Sequence, residues 1–333
     1  MILITGATGL VGAHLALHLI EKGNTVRAIY RDAQSIDKTK AYFDFYQKGD
    51  LIDKLEWIQG DILDVPSLET VFVGIDFVYH CAAFISFDPN DEEKIRKTNI
   101  EGTANIVNFC IAKNIQKLCF LSSIAALGDI APHEESISET TDWNPEKPHS
   151  DYAISKYGAE MEVWRGHQEG LDVLVLNPGV IMGPYIKTTK MQQGSATLYH
   201  RVANGLSFYT LGRTGFITIN DVVTIAIELM ESDVKNEGFS LVAENIVFRE
   251  ILDAIARSLG VKKPRIHADA SLMNILWRID WLLSKITNKK PQISKAGAKA
   301  SYSKNLYSNA KIKRTLDYKF ENVIAYISEK AIR

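Results

Sequence analysis

Only three cysteines occur in the chain of 333 residues, Cys81, Cys110 and Cys119. An odd number, each inside an apolar run, argues against a disulfide framework and suits buried thiols in a reducing compartment. No uncharged apolar run reaches the roughly 18 residues that a membrane-spanning helix requires. Charge is nearly balanced, with 38 Lys and Arg against 40 Asp and Glu and a formal net of −2. That balance implies no general attraction to nucleic acid or to a membrane surface, so neither is expected as a partner. A strand-like run begins at Met1, so no leader peptide is expected, and the expected location is cytoplasmic. His14 and His18 stand four apart, but no carboxylate or third ligand accompanies them; they read as packing residues, and no metal is expected.

What the chain does have is apolar residues, 46% of the total, enough for one large α/β domain with a smaller lobe. Through the first half, short apolar runs alternate with helical stretches: "TVRAIY" (25–30), "LEWIQ" (55–59), "DFVYHCA" (76–82), "KLCFLSS" (117–123) and "DVLVLNP" (172–178). Runs without polar alternation are covered on both faces, which predicts an α/β fold built on a doubly wound parallel sheet. A charged insertion at 33–54 is expected to add a helix. After Pro178 the rhythm breaks, so the predicted division is 1–178 for the sheet domain and 179–333 for a smaller α/β lobe, part of which returns to the sheet. Helices are predicted near 220–231, 248–259, 271–287 and 321–331, and a strand at 238–243. The stretch 271–287 carries Leu272, Ile275, Leu276, Ile279, Leu282, Leu283 and Ile286 at helical spacing beside two tryptophans. Its polar side has few cations, so it is expected to pack on the smaller lobe rather than lie on a membrane.

The opening "MILITGATGLVG" places glycines at 6, 9 and 12 between a β-prone run and a helical one. In a strand, turn and helix of this kind Gly6 permits the tight turn, Gly9 lets backbone N–H groups approach an anion, and Gly12 lets the helix lie close on the strand. The anion would sit at the helix N-terminus, and the context predicts a dinucleotide pyrophosphate held by the backbone from Gly6 through Thr8, Gly9, Leu10 and Val11 to Gly12.

A second signal is "DYAISKYGAE", which puts Tyr152 and Lys156 four apart at the start of a helix, on one face. A cation within a few ångströms favours a phenolate by about 1–3 pKa units, which would make Tyr152 an acid–base group usable near neutral pH. The pair alone is common on solvent faces; its place downstream of the fifth strand and of "FLSSIAALG" sets it apart.

With these residues the chain resembles the extended short-chain dehydrogenases/reductases. "TGATGLVG" is similar to their TGxxGxxG and "YAISK" to their YxxxK, while "GDILD" (60–64), "HCAA" (80–83), "NIEGT" (99–103), "NPGVIMGP" (177–184) and "GFITIND" (215–221) follow in the family's order. The resemblance implies a Rossmann-type domain with a substrate lobe. It implies that Ser123, five positions before Gly128, hydrogen-bonds the substrate oxygen, that Tyr152 exchanges its proton, and that Lys156 holds the nicotinamide ribose and tunes Tyr152. It further implies that Asp61 and Ile62 border the adenine, that the backbone around Ala82 and Ala83 lines the cofactor, that Asn99 braces the strands beside it, and that Pro178 and Val180 approach the nicotinamide.

The end of the second strand bears on the cofactor. An acidic residue there would bind the 2′-OH of NAD, whereas an arginine accommodates a 2′-phosphate. This chain has Tyr30 and then Arg31, with Asp32 as rival, and "VRAIYRD" resembles the dihydroflavonol reductases, so NADP is expected, with NAD the alternative. Thr214 stands where nucleotide-sugar members carry a diphosphate-binding arginine. The expected activity is reduction of a small apolar or aromatic ketone or aldehyde by a monomer or homodimer, similar to dihydroflavonol reductases or 3β-hydroxysteroid dehydrogenases; the alternatives are a nucleotide-sugar epimerase or dehydratase and a non-catalytic dinucleotide sensor. Substrate contacts are expected from Phe84, Ser123 and Tyr185. "FISFDP" (84–89), Met182, Met191 and Tyr199 would add apolar and aromatic walls, although core packing explains these residues equally well.

Overall fold

The computed structural model describes residues 1–86, 88–187, 194–287 and 295–332. The strands are β1 (Ile2–Thr5), β2 (Val26–Tyr30), β3 (Glu56–Gln59), β4 (Phe77–His80), β5 (Lys117–Leu121), β6 (Val173–Pro178), β7 (Val180–Met182), β8 (Phe208–Tyr209), β9 (Arg213–Thr218), β10 (Glu237–Leu241), β11 (Glu244–Val247) and β12 (Ile266–His267). Among the described residues seven of them form a parallel sheet in the order β10-β6-β5-β4-β1-β2-β3. The chain reverses its direction of travel across the sheet between β1 and β4, the switch point outside which ligands of such sheets bind. Residue alternation shows why both faces are dry: Ile4, Leu174 and Leu176 join one core, and Leu3, Val173 and Val175 the other. Helices Leu10–Glu21 and Ile219–Glu231 cover the first face, and Gly102–Ala112 and Asp151–Gln168 the second.

The charged insertion does hold a helix, Ile36–Phe45, and Thr39 ties it to the glycine turn by donating to the Ala7 carbonyl at 3.0 Å. Smaller pairings, β11-β9-β7 and β12-β8, make up the rest of the strand structure. Of these, β8 and β12 are two residues each, too short to carry a period. His14 is buried with its Nδ1 on the Leu10 carbonyl at 2.6 Å and its Nε2 3.1 Å from the Tyr46 hydroxyl, a core histidine whose pKa burial lowers to about 3.

The C-terminal segment is clasped by Asp221, which is buried and accepts from the Tyr318 hydroxyl at 3.0 Å and from the Glu321 N–H at 3.1 Å. Helix Val323–Glu329 then packs into the first core through Val323, Tyr326 and Ile327. Helix Ala270–Thr287 divides its apolar stripe. Leu272, Leu276 and Trp277 pack around Ala268, Met273 and Ala298 in a small separate core, while Ile275, Ile279, Trp281 and Leu282 stay exposed. Packing on the smaller lobe thus accounts for one side of this helix only.

Candidate active site

All six leading strands of the sheet run parallel, so the turns that follow them gather at one edge. There the expected residues are brought together: Gly6–Gly12 after β1, Arg31 after β2, Asp61 and Ile62 after β3, Ala82–Phe84 after β4, Ser123 after β5, and Pro178 and Val180 at the end of β6 and the start of β7.

The glycine turn fits a pyrophosphate. Gly6 has φ +70°, and a Cβ on it would stand 2.6 Å from the Ala82 nitrogen. A Cβ on Gly12 would stand 2.4 Å from the Gly6 carbonyl oxygen, so helix and turn close only without one. Gly9 is the N-cap of helix Leu10–Glu21 and supplies no side-chain cap, and no acidic residue occupies the first turn. The Gly9 N–H donates within the turn to the Gly6 carbonyl at 2.9 Å, so the anion-binding end is the first turn of the helix, with its N–H groups and the positive end of its dipole.

A chain of hydrogen bonds fixes the β1 and β4 ends. The Thr103 hydroxyl donates to the Asn99 carbonyl at 2.6 Å, so at His80 Nε2, 3.0 Å away, it accepts. His80 Nδ1 then accepts from the Thr5 hydroxyl at 2.6 Å, and Thr5 accepts from the Ala82 N–H at 3.2 Å. Burial, reinforced by the Lys156 charge, lowers the His80 pKa to about 3, which keeps it neutral in this one tautomer. Asn99 sits in a π-helical turn, Lys97–Glu101. Its amide donates to the Phe84 carbonyl at 3.0 Å and the Ser155 hydroxyl at 2.9 Å, and it accepts from the Phe84 N–H at 2.7 Å. The loop after β4 is thereby laced to the helix that carries Tyr152 and Lys156.

Ser150 caps that helix by accepting from the Ala153 N–H at 3.2 Å. Tyr152, half-buried on its first turn, shares a hydrogen bond with the Ser123 side chain. Ser123 Oγ also accepts from the Ala125 N–H at 3.1 Å. Burial raises the Tyr152 pKa and Ser123 pulls it back down. Lys156, 2% exposed, donates from Nζ to the Leu121 carbonyl at 2.7 Å and lies 4.4 Å above the Phe120 ring. Desolvation lowers its own pKa to about 8, against the opposing charge of Glu160.

Glu160 is a residue that the sequence reading missed. Its carboxylate accepts from Ser122 Oγ at 2.7 Å and Asn177 Nδ2 at 2.9 Å, and lies 3.4 Å from Trp164 Nε1. Asn177 also donates to the Ser123 carbonyl at 3.1 Å, so one carboxylate anchors the loop bearing Ser123. Its place four residues after Lys156, on the face of Tyr152 and Lys156, was the available signal.

Arg31 is exposed, its Nη1 4.0 Å from Asp61 Oδ2, while the rival Asp32 accepts from the Gln34 N–H at 3.0 Å and caps a short helical turn. Asp61 accepts from the Leu63 N–H at 3.0 Å, and Asn105 donates to the Ile62 carbonyl at 2.9 Å. Tyr185 is 7% exposed and stacked on Tyr199 at 5.3 Å. Met182 and Tyr199 are likewise buried in the first core. Met191 and Phe87 lie outside the described residues. Phe84 is half-buried, with Lys94 Nζ 4.5 Å from its ring centre.

The sheet, the glycine turn and the Ser-Tyr-Lys cluster define an NAD(P)-dependent enzyme of the short-chain dehydrogenase/reductase class. Residues 2–241 match the model of the NAD dependent epimerase/dehydratase family, and the chain belongs to that family. It is 27% identical over 274 residues to sterol demethylase protein B of Methylococcus capsulatus, covering 81% of this chain and 78% of that protein. It is 26% identical over 314 residues to a putative dihydroflavonol 4-reductase of Synechocystis, covering 92% and 87%. Among solved structures, gox2253 superposes with a TM-score of 0.77 at 25% identity, covering 99% of this chain and 96% of that one. UDP-glucose 4-epimerase of Thermotoga maritima superposes with a TM-score of 0.75 at 19% identity, covering 98% and 96%, a likeness of fold.

Proposed function

We propose that this enzyme reduces a ketone or aldehyde of a small apolar or aromatic substrate with NADP(H). The observation that carries the reading is the hydrogen-bonded Ser123–Tyr152 pair set one turn before a buried Lys156. When bound, the dinucleotide supplies the hydride. Ser123 and Tyr152 hold the substrate oxygen between them, and Tyr152 gives it a proton as charge develops there. Lys156, cationic below about pH 8, turns from the Leu121 carbonyl to the nicotinamide ribose. The N–H groups at the start of helix Leu10–Glu21, after the Gly6–Gly12 turn, would hold the pyrophosphate, Ala82, Ala83, Pro178 and Val180 would line the cofactor, and Asp61 and Ile62 would border the adenine. Asn99 acts through Phe84 and Ser155 as a positioning residue.

NADP is favoured over NAD because Arg31 is exposed at the end of β2 whereas the Asp32 carboxylate is engaged with its own turn. Reduction is favoured over sugar-nucleotide epimerisation because Thr214 stands at the place of the diphosphate-binding arginine and its hydroxyl is bonded to Tyr307. The names of the reductases among the relatives support the same choice. The epimerase named among the fold neighbours keeps the second reading in view. An enzyme of the first kind exchanges its dinucleotide each cycle, so it purifies largely without one. The test follows NADPH consumption over a panel of apolar and aromatic carbonyl compounds, beside isomerisation of UDP- and TDP-sugars. Stoichiometric NADPH loss supports the reading; sugar-nucleotide turnover on tightly retained NAD overturns it.

A further inference from the structure

We propose that the outer face of helix Ala270–Thr287 docks this protein peripherally onto an anionic lipid surface. The near-neutral total charge conceals a strong local excess: residues 262–304 hold ten Lys and Arg against two Asp, a net +8 in a chain whose total is −2. The remainder of the chain therefore carries −10. Lys262, Arg265, Arg278, Lys295 and Lys299 are exposed. Of the charges in this stretch, Asp280 interacts with Arg201 and Lys263 pairs with Asp253 at 3.5 Å, so neither adds to the exposed excess.

Within this basic surround lies the unburied part of the helix. Ile275 is 54% exposed, Ile279 50%, Trp281 51% and Leu282 55%. Ile275, Ile279 and Leu282 follow the i, i+4, i+7 spacing of a single helix face. The opposite side packs into the small core around Met273 and Ala298, which accounts for the helix's seat in the fold. A stripe of large apolar residues with a tryptophan, flanked by cations, has the composition of a helix lying in a membrane interface. The few cations on the helix itself do not count against this, because the flanks of the helix supply the rest.

The same charge argues against a second copy of the chain as occupant. A two-fold contact on this face would bring the exposed Arg278 of each copy, with Lys295 and Lys299 of the paired helix, near their like-charged counterparts. No helix among the described residues is long and apolar enough to cross a membrane, so the association is with the surface alone.

The experiment is co-sedimentation of the whole protein with vesicles of phosphatidylcholine, and of phosphatidylcholine mixed with phosphatidylglycerol. The expected result is binding to the mixed vesicles at least about tenfold tighter than to phosphatidylcholine, lost near ~1 M salt, where the screening length falls to about 3 Å. Lys295→Gln/Lys299→Gln should weaken it about 25-fold, at about fivefold per cation. Ile279→Ser/Leu282→Ser should weaken it more than about tenfold, with an unchanged melting temperature because both residues are exposed. Equal binding to the two vesicle types, or wild-type binding by both variants, overturns the proposal. So does absence of vesicle binding together with a dimer in sedimentation equilibrium that Ile279→Ser/Leu282→Ser converts to monomer.

Discussion

Lys156 and Glu160 stand one helical turn apart on the face of Tyr152, and the carboxylate that raises the lysine's pKa also holds Ser122 and Asn177. One buried anion thus sets both the charge of the lysine and the position of the serine loop. Glu160→Gln removes the charge while keeping an acceptor for Ser122. Without that charge the Lys156 pKa falls below about 8, so the cationic form is lost at lower pH and the alkaline limb of kcat/KM shifts downward. A pH–rate profile reads the shift. A lower rate with an unmoved limb would reduce Glu160 to a structural support.

Tyr152→Phe removes the proton donor and its bond to Ser123 but no backbone contact. Turnover should fall by ~10²–10⁴-fold while nucleotide affinity stays nearly unchanged. Lys156→Met should differ by weakening nucleotide binding as well. Titration calorimetry beside steady-state kinetics separates the two, and near wild-type turnover in Tyr152→Phe would sink the assignment.

The cofactor prediction rests on Arg31. Charge-assisted arginine–phosphate contacts contribute roughly 1.5–3 kcal/mol, so NADP should bind more than about tenfold tighter than NAD and Arg31→Ala should erase most of the difference. Calorimetric titration of both nucleotides measures it. Equal or tighter binding of NAD by the wild type would transfer the role to Asp32.

The fold and the catalytic cluster were legible for a shared reason. Gly6 takes a positive φ of +70° and Gly12 meets the Gly6 carbonyl, both local demands, and Tyr152 and Lys156 share a face by helical period, so each signal is carried within a dozen residues. What escaped was set by packing between distant segments. Glu160 meets Ser122 and Asn177 across 38 and 17 residues, and His80 joins Thr5 and Thr103 across 75 and 23. The stacking of Tyr185 on Tyr199 was not legible either, because an aromatic beside a glycine–proline turn reads alike whether it lines a pocket or packs in the core. The hydrogen bond of Lys156 to the Leu121 carbonyl spans 35 residues, which helical spacing does not reveal.

Asp221 gives the C-terminal clasp a pH dependence. Burial raises its pKa from 3.8 to about 6, so between those values the native state binds more protons than the unfolded chain. Stability from this group is therefore greatest at the acid end and is lost as pH rises through about 6. Asp221→Asn, neutral throughout, should lack that decline. Melting temperatures of wild type and variant across this range should differ by an amount that changes with pH; a constant difference would contradict the assignment.

The most direct measurement is isotopic. The enzyme is incubated with NADPH carrying deuterium at the transferable C4 position and with an apolar or aromatic ketone or aldehyde, and the product is examined by mass spectrometry and NMR. The account predicts one deuterium at the new carbinol carbon for each NADPH consumed, and loss of that transfer in Tyr152→Phe. Carbonyl compounds left unlabelled, with UDP- or TDP-sugars isomerised and no net loss of NADPH, would contradict it.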